Sequence, residues 1–175
     1  MPRNTIDIAQ LKVQPHHLFQ TQWALVTAGD FDAGQYNTMT IGWGALGTMW
    51  SKPFAFVAVR HSRFTFKFME KYNTFTLSTF PSQFHRALEL LGTRSGLDGD
   101  KIADSGLTPE AAQVVAAPTF AEAELVIECQ KIYANDLDPD KIPADVIQKY
   151  YRKEAIHRIY YGEIVSVSAI ETYYR

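Results

Sequence analysis

Apolar and polar positions along the chain follow two periods, and the pattern breaks where glycine, proline, asparagine and aspartate cluster. The stretch "TQWALVTAG" (21–29) is dense in apolar and β-favouring side chains and runs into "GDFDAGQYN", whose Gly, Asp and Asn favour turns, so a strand and then a turn are predicted. "TMTIGWGAL" and "PFAFVAVR" continue in the same manner, the second opening on a proline that a strand tolerates only at its start. From Ser62 the period changes. "SRFTFKFMEKY" puts Phe64, Phe68 and Met69 on one helical face with charge opposite, and offers Ser62 as N-cap. "TFTLSTF" (74–80) returns to strand, and "SQFHRALELLG" spaces Phe84, Leu88 and Leu91 as a helix that Gly92 ends.

Residues 92–118 carry turn formers and only short helical runs, which predicts a connection wrapping the surface. The last third holds two long β patterns, "EAELVIECQKIYAND" and "HRIYYGEIVSVSAIE", with an excursion between them that contains "YYRK". At least six strand candidates without regular alternation of strand and long helix argue against a doubly wound parallel sheet and for a mainly antiparallel barrel with helical additions. At 175 residues the chain is expected to be one domain, 1–175.

Composition narrows the functional classes. Apolar residues make up 46% and charged residues 21%, an ordinary globular balance, so disorder is not expected. A net charge of −2 without dense Lys/Arg runs offers no field for nucleic acid or an anionic membrane. No segment approaches the ~18 apolar residues of a membrane span, and the first residues lack a signal-like apolar stretch, so a cytoplasmic protein is expected. Cys129 is the single cysteine and sits in an apolar strand pattern, where it reads as a small buried hydrophobe. No metal site is expected, because adjacent His16 and His17 cannot face one site from a regular strand, and His61 and His85 lack ligand spacing with any carboxylate or the thiol. H-E-x-x-H, G-x-S-x-G and G-K-[ST] are all absent, which removes the commonest hydrolase and triphosphatase templates.

Gly42, Gly44 and Gly47 have the G-x-G-x-x-G spacing of a dinucleotide fingerprint, yet Pro53 and a β-rich run follow where a helix would have to open. The ribose-binding acid expected ~20 residues onward is replaced by the basic "RHSRFTFKF". The glycines are left with two readings, a bend for barrel closure or close approach of a ligand to the backbone. "VAVRHSRFT" joins a strand ending in Arg60 to a helix start with Ser62 and Thr65. It reads either as a phosphate seat or as an ordinary capped helix beside surface arginines.

Taken in order, "NTMTIGW", "SKPFAFVAVRHSRFT", "STFP", "RSGLDGDK" and "HRIYYGEIVSV" resemble the flavin reductase-like, FMN-binding split-barrel family, and within it the flavoredoxin-like branch. The resemblance implies a six-stranded antiparallel Greek-key split barrel with flanking short helices, FMN as cofactor, and a homodimer with the flavin at the subunit interface. It implies that Asn37, Met39 and Thr40 lie along the flavin and that Thr48, Met49, Trp50 and Ser51 form a loop beside the isoalloxazine. Arg60, Ser62, Arg63 and Thr65 match the phosphate turn, Phe80 an aromatic at the end of the next strand, and Ser95, Gly96 and Lys101 a loop reaching the ribityl and phosphate groups. His157 matches the histidine presented to the nicotinamide or acceptor, although Ile156 stands where many such reductases carry an acid. The implied activity is flavin reduction or flavoredoxin-like electron transfer, with NADH, NADPH or a redox protein as donor and a small molecule or protein as acceptor. The competing reading is a barrel that binds flavin or another planar ligand without turnover.

Overall fold

The computed structural model describes residues 2–175. Its principal strands are β1 (Ala24–Asp30), β2 (Gln35–Ile41), β3 (Gly44–Met49), β4 (Lys52–Arg60), β5 (Thr74–Thr79), β6 (Leu125–Asp136) and β7 (His157–Ala169). Four helices accompany them: α1 (Phe64–Lys71), α2 (His85–Thr93), α3 (Lys101–Ser105) and α4 (Ala144–Tyr150). The strands are hydrogen-bonded in the order β2-β1-β5-β6-β7-β4-β3, every pair antiparallel, and a two-residue strand, Asn4–Thr5, pairs antiparallel with Ser168 and Ala169 at the end of β7.

The two ends of that order are consecutive in sequence. Only Gly42 and Trp43 separate β2 from β3, and the Trp43 carbonyl accepts a hydrogen bond from the Ala58 amide of β4 at 3.2 Å. Residues 35–49 are thus one bent strand whose first half pairs with β1 and whose second half pairs with β4, which closes six strands into the expected barrel. β5 returns by way of α1 to lie beside β1, placing the fourth strand next to the first as a Greek key requires.

Side chains alternate as a closed sheet demands. Ala24, Val26 and Ala28 of β1 point into the barrel with Val57, Val59, Leu77, Ile127 and Val167, while Leu25 points outward into a second core. That second core, with Leu88 and Leu91 of α2, Ile102 of α3, Phe80 and Phe120, fastens the 80–124 connection to the outside of the sheet. Cys129 is wholly buried and burial raises its thiol far above the usual range, so it packs as a hydrophobe and offers no thiolate.

At Gly44 the bend and close packing require a bare backbone. A Cβ on Gly44 would lie 2.5 Å from the Phe19 ring and 2.8 Å from the Phe56 carbonyl oxygen. Phe19 comes from a π-helical turn, His17–Gln22, that precedes β1, so that strand begins at Ala24 and not at Thr21. One local expectation needs correction. α1 begins at Phe64 with Arg63 as the residue before it, and no side chain, Ser62 included, caps it.

Candidate functional site

The bend leaves a split. Met39, Thr40 and Ile41 are paired to β1 on one side only, and the β3–β4 ladder stops at Gly44 and Val57. Beyond the Ala58 to Trp43 bond, no ladder pair among the described residues joins Val59 and Arg60 to Met39–Ile41. Two strand edges therefore diverge with backbone groups facing the gap, and buried or half-buried backbone groups in that state call for a partner. A cleft of about 510 Å³ occupies the gap, floored by residues 39–43 and Ala58 and rimmed by Arg60, Ser62 and Arg63.

Charge and aromatic rings complete the rim. Arg60 and Arg63 face the cleft with Lys149 of α4, against Glu154 as its one lining carboxylate. Trp43 tilts over His157 at 4.6 Å between ring centroids and meets Tyr150 edge-on at 5.3 Å. Arg60 holds this wall in place, donating to the Tyr150 carbonyl oxygen at 3.1 Å and lying 5.4 Å over the Tyr151 ring. His157 pairs in register with Arg60 across β7 and β4, and its Nδ1 lies 2.8 Å from the Tyr151 hydroxyl. Burial first, and then the nearby Arg60, Arg63 and His61, hold the imidazole down to about 4. It is therefore neutral near pH 7.

The expected residues divide into three groups. Met39, Thr40, Arg60, Ser62, Arg63 and His157 converge on the cleft. Asn37, Gly96 and Lys101 line a separate cleft of about 430 Å³, and Thr65 is buried against Asn37. The Asn37 amide donates to the Thr65 hydroxyl at 2.7 Å, and a Cβ on Gly96 would reach the Asn37 side-chain oxygen at 2.9 Å. Lys101 is 3% exposed and donates to the carbonyls of Leu91 and Arg94 at 2.9 and 3.2 Å, while Arg63 donates to that of Gly92. These cations satisfy carbonyls at the end of α2. Burial, then Arg63, pushes the Lys101 ammonium down to about 8. Ser95, beside them, accepts from the Leu97 amide through its hydroxyl.

The third group lies away from the cleft within one chain. Thr48, Met49, Trp50 and Ser51 form the tip of the β3–β4 hairpin, where Trp50 and Ser51 both have positive φ (53° and 58°), as a two-residue type I′ turn requires. Trp50 is 65% exposed and lies seven residues beyond Trp43, roughly 23 Å along an extended strand. Phe80 is buried in the second core and borders a different, larger cavity of about 740 Å³ between the N-terminal segment, the π-helical turn and the start of α2. The larger cavity gathers only one of the expected residues, and the smaller one gathers six.

Trp43, Lys149, Tyr150, Tyr151 and Glu154 were not foreseeable from local pattern. Trp43 lies inside the glycine stretch, where the bend turns its side chain to the outer face. The "YYRK" run stands out only as part of the excursion between the last two long strands, with no spacing to link it to β2.

A family model described as a flavin reductase like domain matches residues 16–174. An uncharacterized protein of Pyrococcus abyssi is 29% identical over 140 residues, 79% of this chain and 78% of that protein. Among solved structures, flavoredoxin of Desulfovibrio vulgaris superposes with a TM-score of 0.67 at 25% identity, over 89% of this chain and 73% of that one. An FMN-binding domain of a flavin reductases-like enzyme from Shewanella baltica superposes with a TM-score of 0.69 at 16% identity, over 96% and 77%. With the split barrel closed by a bent strand and nearly the whole length matched, the chain belongs to the flavin reductase like domain family.

Proposed function

We propose that the cleft binds FMN and that the protein is an FMN-dependent oxidoreductase, taking electrons from NADH, NADPH or a redox protein and passing them to a small-molecule or protein acceptor. The carrying observation is the split itself. Backbone edges at Met39–Ile41 and Val59–Arg60 face one gap, beside a turn that holds Arg60, Ser62 and Arg63. Such edges suit a planar heterocycle with both donors and acceptors on its rim, and the turn suits a phosphate. Three cations against one carboxylate give the cleft the sign that a phosphate monoester needs, and its volume is that of a small-ligand site.

FMN, when bound, supplies the hydride-accepting and electron-passing chemistry. The chain's part is to bind, orient and exclude water. Trp43 offers an indole face beside the split, Ser62 and the two arginines hold the phosphate end, and neutral His157 faces the ring end of the cleft. No strong acid–base pair is needed for this work, and the cleft lacks one. The test is a visible spectrum taken during FMN titration, followed by anaerobic addition of NADH or NADPH. Uptake with bleaching of the flavin bands supports the reading. Uptake without bleaching by either nucleotide or by a reduced redox protein leaves the non-catalytic binding barrel, and absence of uptake removes the flavin.

The site is proposed to lie at a homodimer interface. Phe54, Phe56 and Tyr133 surround Tyr161 on β4, β6 and β7, their ring centroids 5.8, 5.7 and 5.5 Å from its own. The register makes this cluster continuous with Ala58, Arg60 and His157 at the cleft. A second copy seated on the cluster would cover the aromatics, and the Trp50 tip reaches a flavin only across such an interface. Sedimentation of the FMN-loaded protein is expected to give a dimer, and a stable loaded monomer would remove Thr48–Ser51 from the site.

A further inference from the structure

His157, which lines the cleft, is 8% exposed, and Tyr151, 9% exposed, meets it from behind through its hydroxyl at 2.8 Å. A phenol and an imidazole in contact can share a proton in two ways, and the surroundings select between them. The Tyr151 hydroxyl has no other partner among the described residues. Burial also raises its pKa, so it keeps its proton. If the imidazole carried its hydrogen on Nδ1, two protons would compete for one contact and the hydroxyl hydrogen would be stranded. With the hydrogen on Nε2 instead, the hydroxyl donates to a bare Nδ1 and both groups are satisfied. Nε2, on the other side of the ring, has no partner among the described residues and is not among their sealed unpaired atoms, so it remains open to a ligand.

We propose that Tyr151 is a positioning residue that fixes His157 as the Nε2–H tautomer, making it a neutral hydrogen-bond donor to a carbonyl oxygen of the planar ligand in the cleft. Arg60 lies over the Tyr151 ring and holds the Tyr150 carbonyl, which locks the phenol, while Trp43 covers one face of the imidazole. Burial first, and then the neighbouring Arg60 and Arg63, discourage a second proton on the ring, so the donor is an N–H without a formal charge. A neutral donor selects an acceptor atom at that point in the cleft and disfavours an N–H edge there. The identity of the carbonyl rests on the flavin reading; the tautomer does not.

The ring nitrogens of His157 decide the tautomer in flavin-free, ¹⁵N-labelled protein, with the resonances assigned by their loss in His157→Gln. Two-bond ¹H–¹⁵N correlations are expected to show a protonated Nε2 and an unprotonated Nδ1, and Tyr151→Phe is expected to give a mixture of both tautomers. A protonated Nδ1 in the unmodified protein, or an unchanged pattern in Tyr151→Phe, overturns the proposal. In FMN titrations Tyr151→Phe is expected to weaken binding about three- to tenfold, the scale of one neutral hydrogen bond. The carbonyl stretches of bound FMN should shift upward in the same variant. Unchanged affinity and unchanged stretches would overturn the aim toward the ligand. Failure of the unmodified protein to take up FMN would instead defeat the flavin reading and leave the tautomer to the nitrogen spectra.

Discussion

Replacing Gly162 with alanine is expected to cost about 1–3 kcal/mol of stability, the usual range for overpacking a filled core. For a chain of this size that corresponds to a fall of roughly 2–12 °C in the thermal midpoint. The reason is local. Gly162 sits at a register shift of β7 against β6, inside the barrel, and a Cβ there would lie 2.6 Å from two atoms of the Phe75 ring and 2.7 Å from the Cys129 Cβ. None of these is the free end of a flexible chain. Phe75 and Cys129 are both fully buried, on paired positions of β5 and β6, so neither can retreat without disturbing the sheet. Calorimetry of Gly162→Ala, Phe75→Leu and the double variant checks the cause, because a clash with the ring predicts that the two changes are less than additive. Additive costs would place the damage elsewhere. The same strand carries His157 opposite Arg60, so a displaced β7 is also expected to loosen the cleft wall.

Arg60→Ala is expected to weaken FMN binding by about 1.5–3 kcal/mol, roughly 10- to 150-fold, through loss of a hydrogen bond to a charged group. Arg60 also holds the wall formed by Tyr150 and Tyr151, so a loss of affinity by itself does not identify the phosphate. Riboflavin separates the two effects. If the guanidinium holds the phosphate, riboflavin affinity changes little and the advantage of FMN over riboflavin shrinks. Equal losses for both ligands would make Arg60 a support of the wall only. The FMN affinity of the unmodified protein should also fall with added salt more steeply than that of the variant, since one fewer cation then faces the phosphate.

How far the site could be read in advance depended on range. Met39, Thr40, Arg60, Ser62 and Arg63 fall within two short stretches whose strand-then-turn character is visible locally, and the cleft forms where those stretches meet. Lys101 illustrates the opposite case. Its loop sequence marks it for a phosphate, but within one chain its ammonium is spent on carbonyls at the end of α2, a demand set by the packing of a helix that ends eight residues earlier. Thr65 and Asn37 are likewise engaged with each other. The resemblance implies Trp50 beside the isoalloxazine, and within one chain the hairpin carries it to an exposed tip.

Sequence alone determined the class of the protein. Period-two stretches, turn formers and the absence of long amphipathic helices are local properties, and together they specify an antiparallel barrel and exclude a Rossmann fold. Tertiary structure decided what the glycine stretch and the "YYRK" excursion are for. Trp43 and Tyr150 are separated by more than a hundred residues and meet only because one strand bends to pair with both ends of the sheet. Strand pairing between distant segments depends on the packing of the whole core, so no window on the chain contains the information that opens a split at Gly42 and lines it with His157.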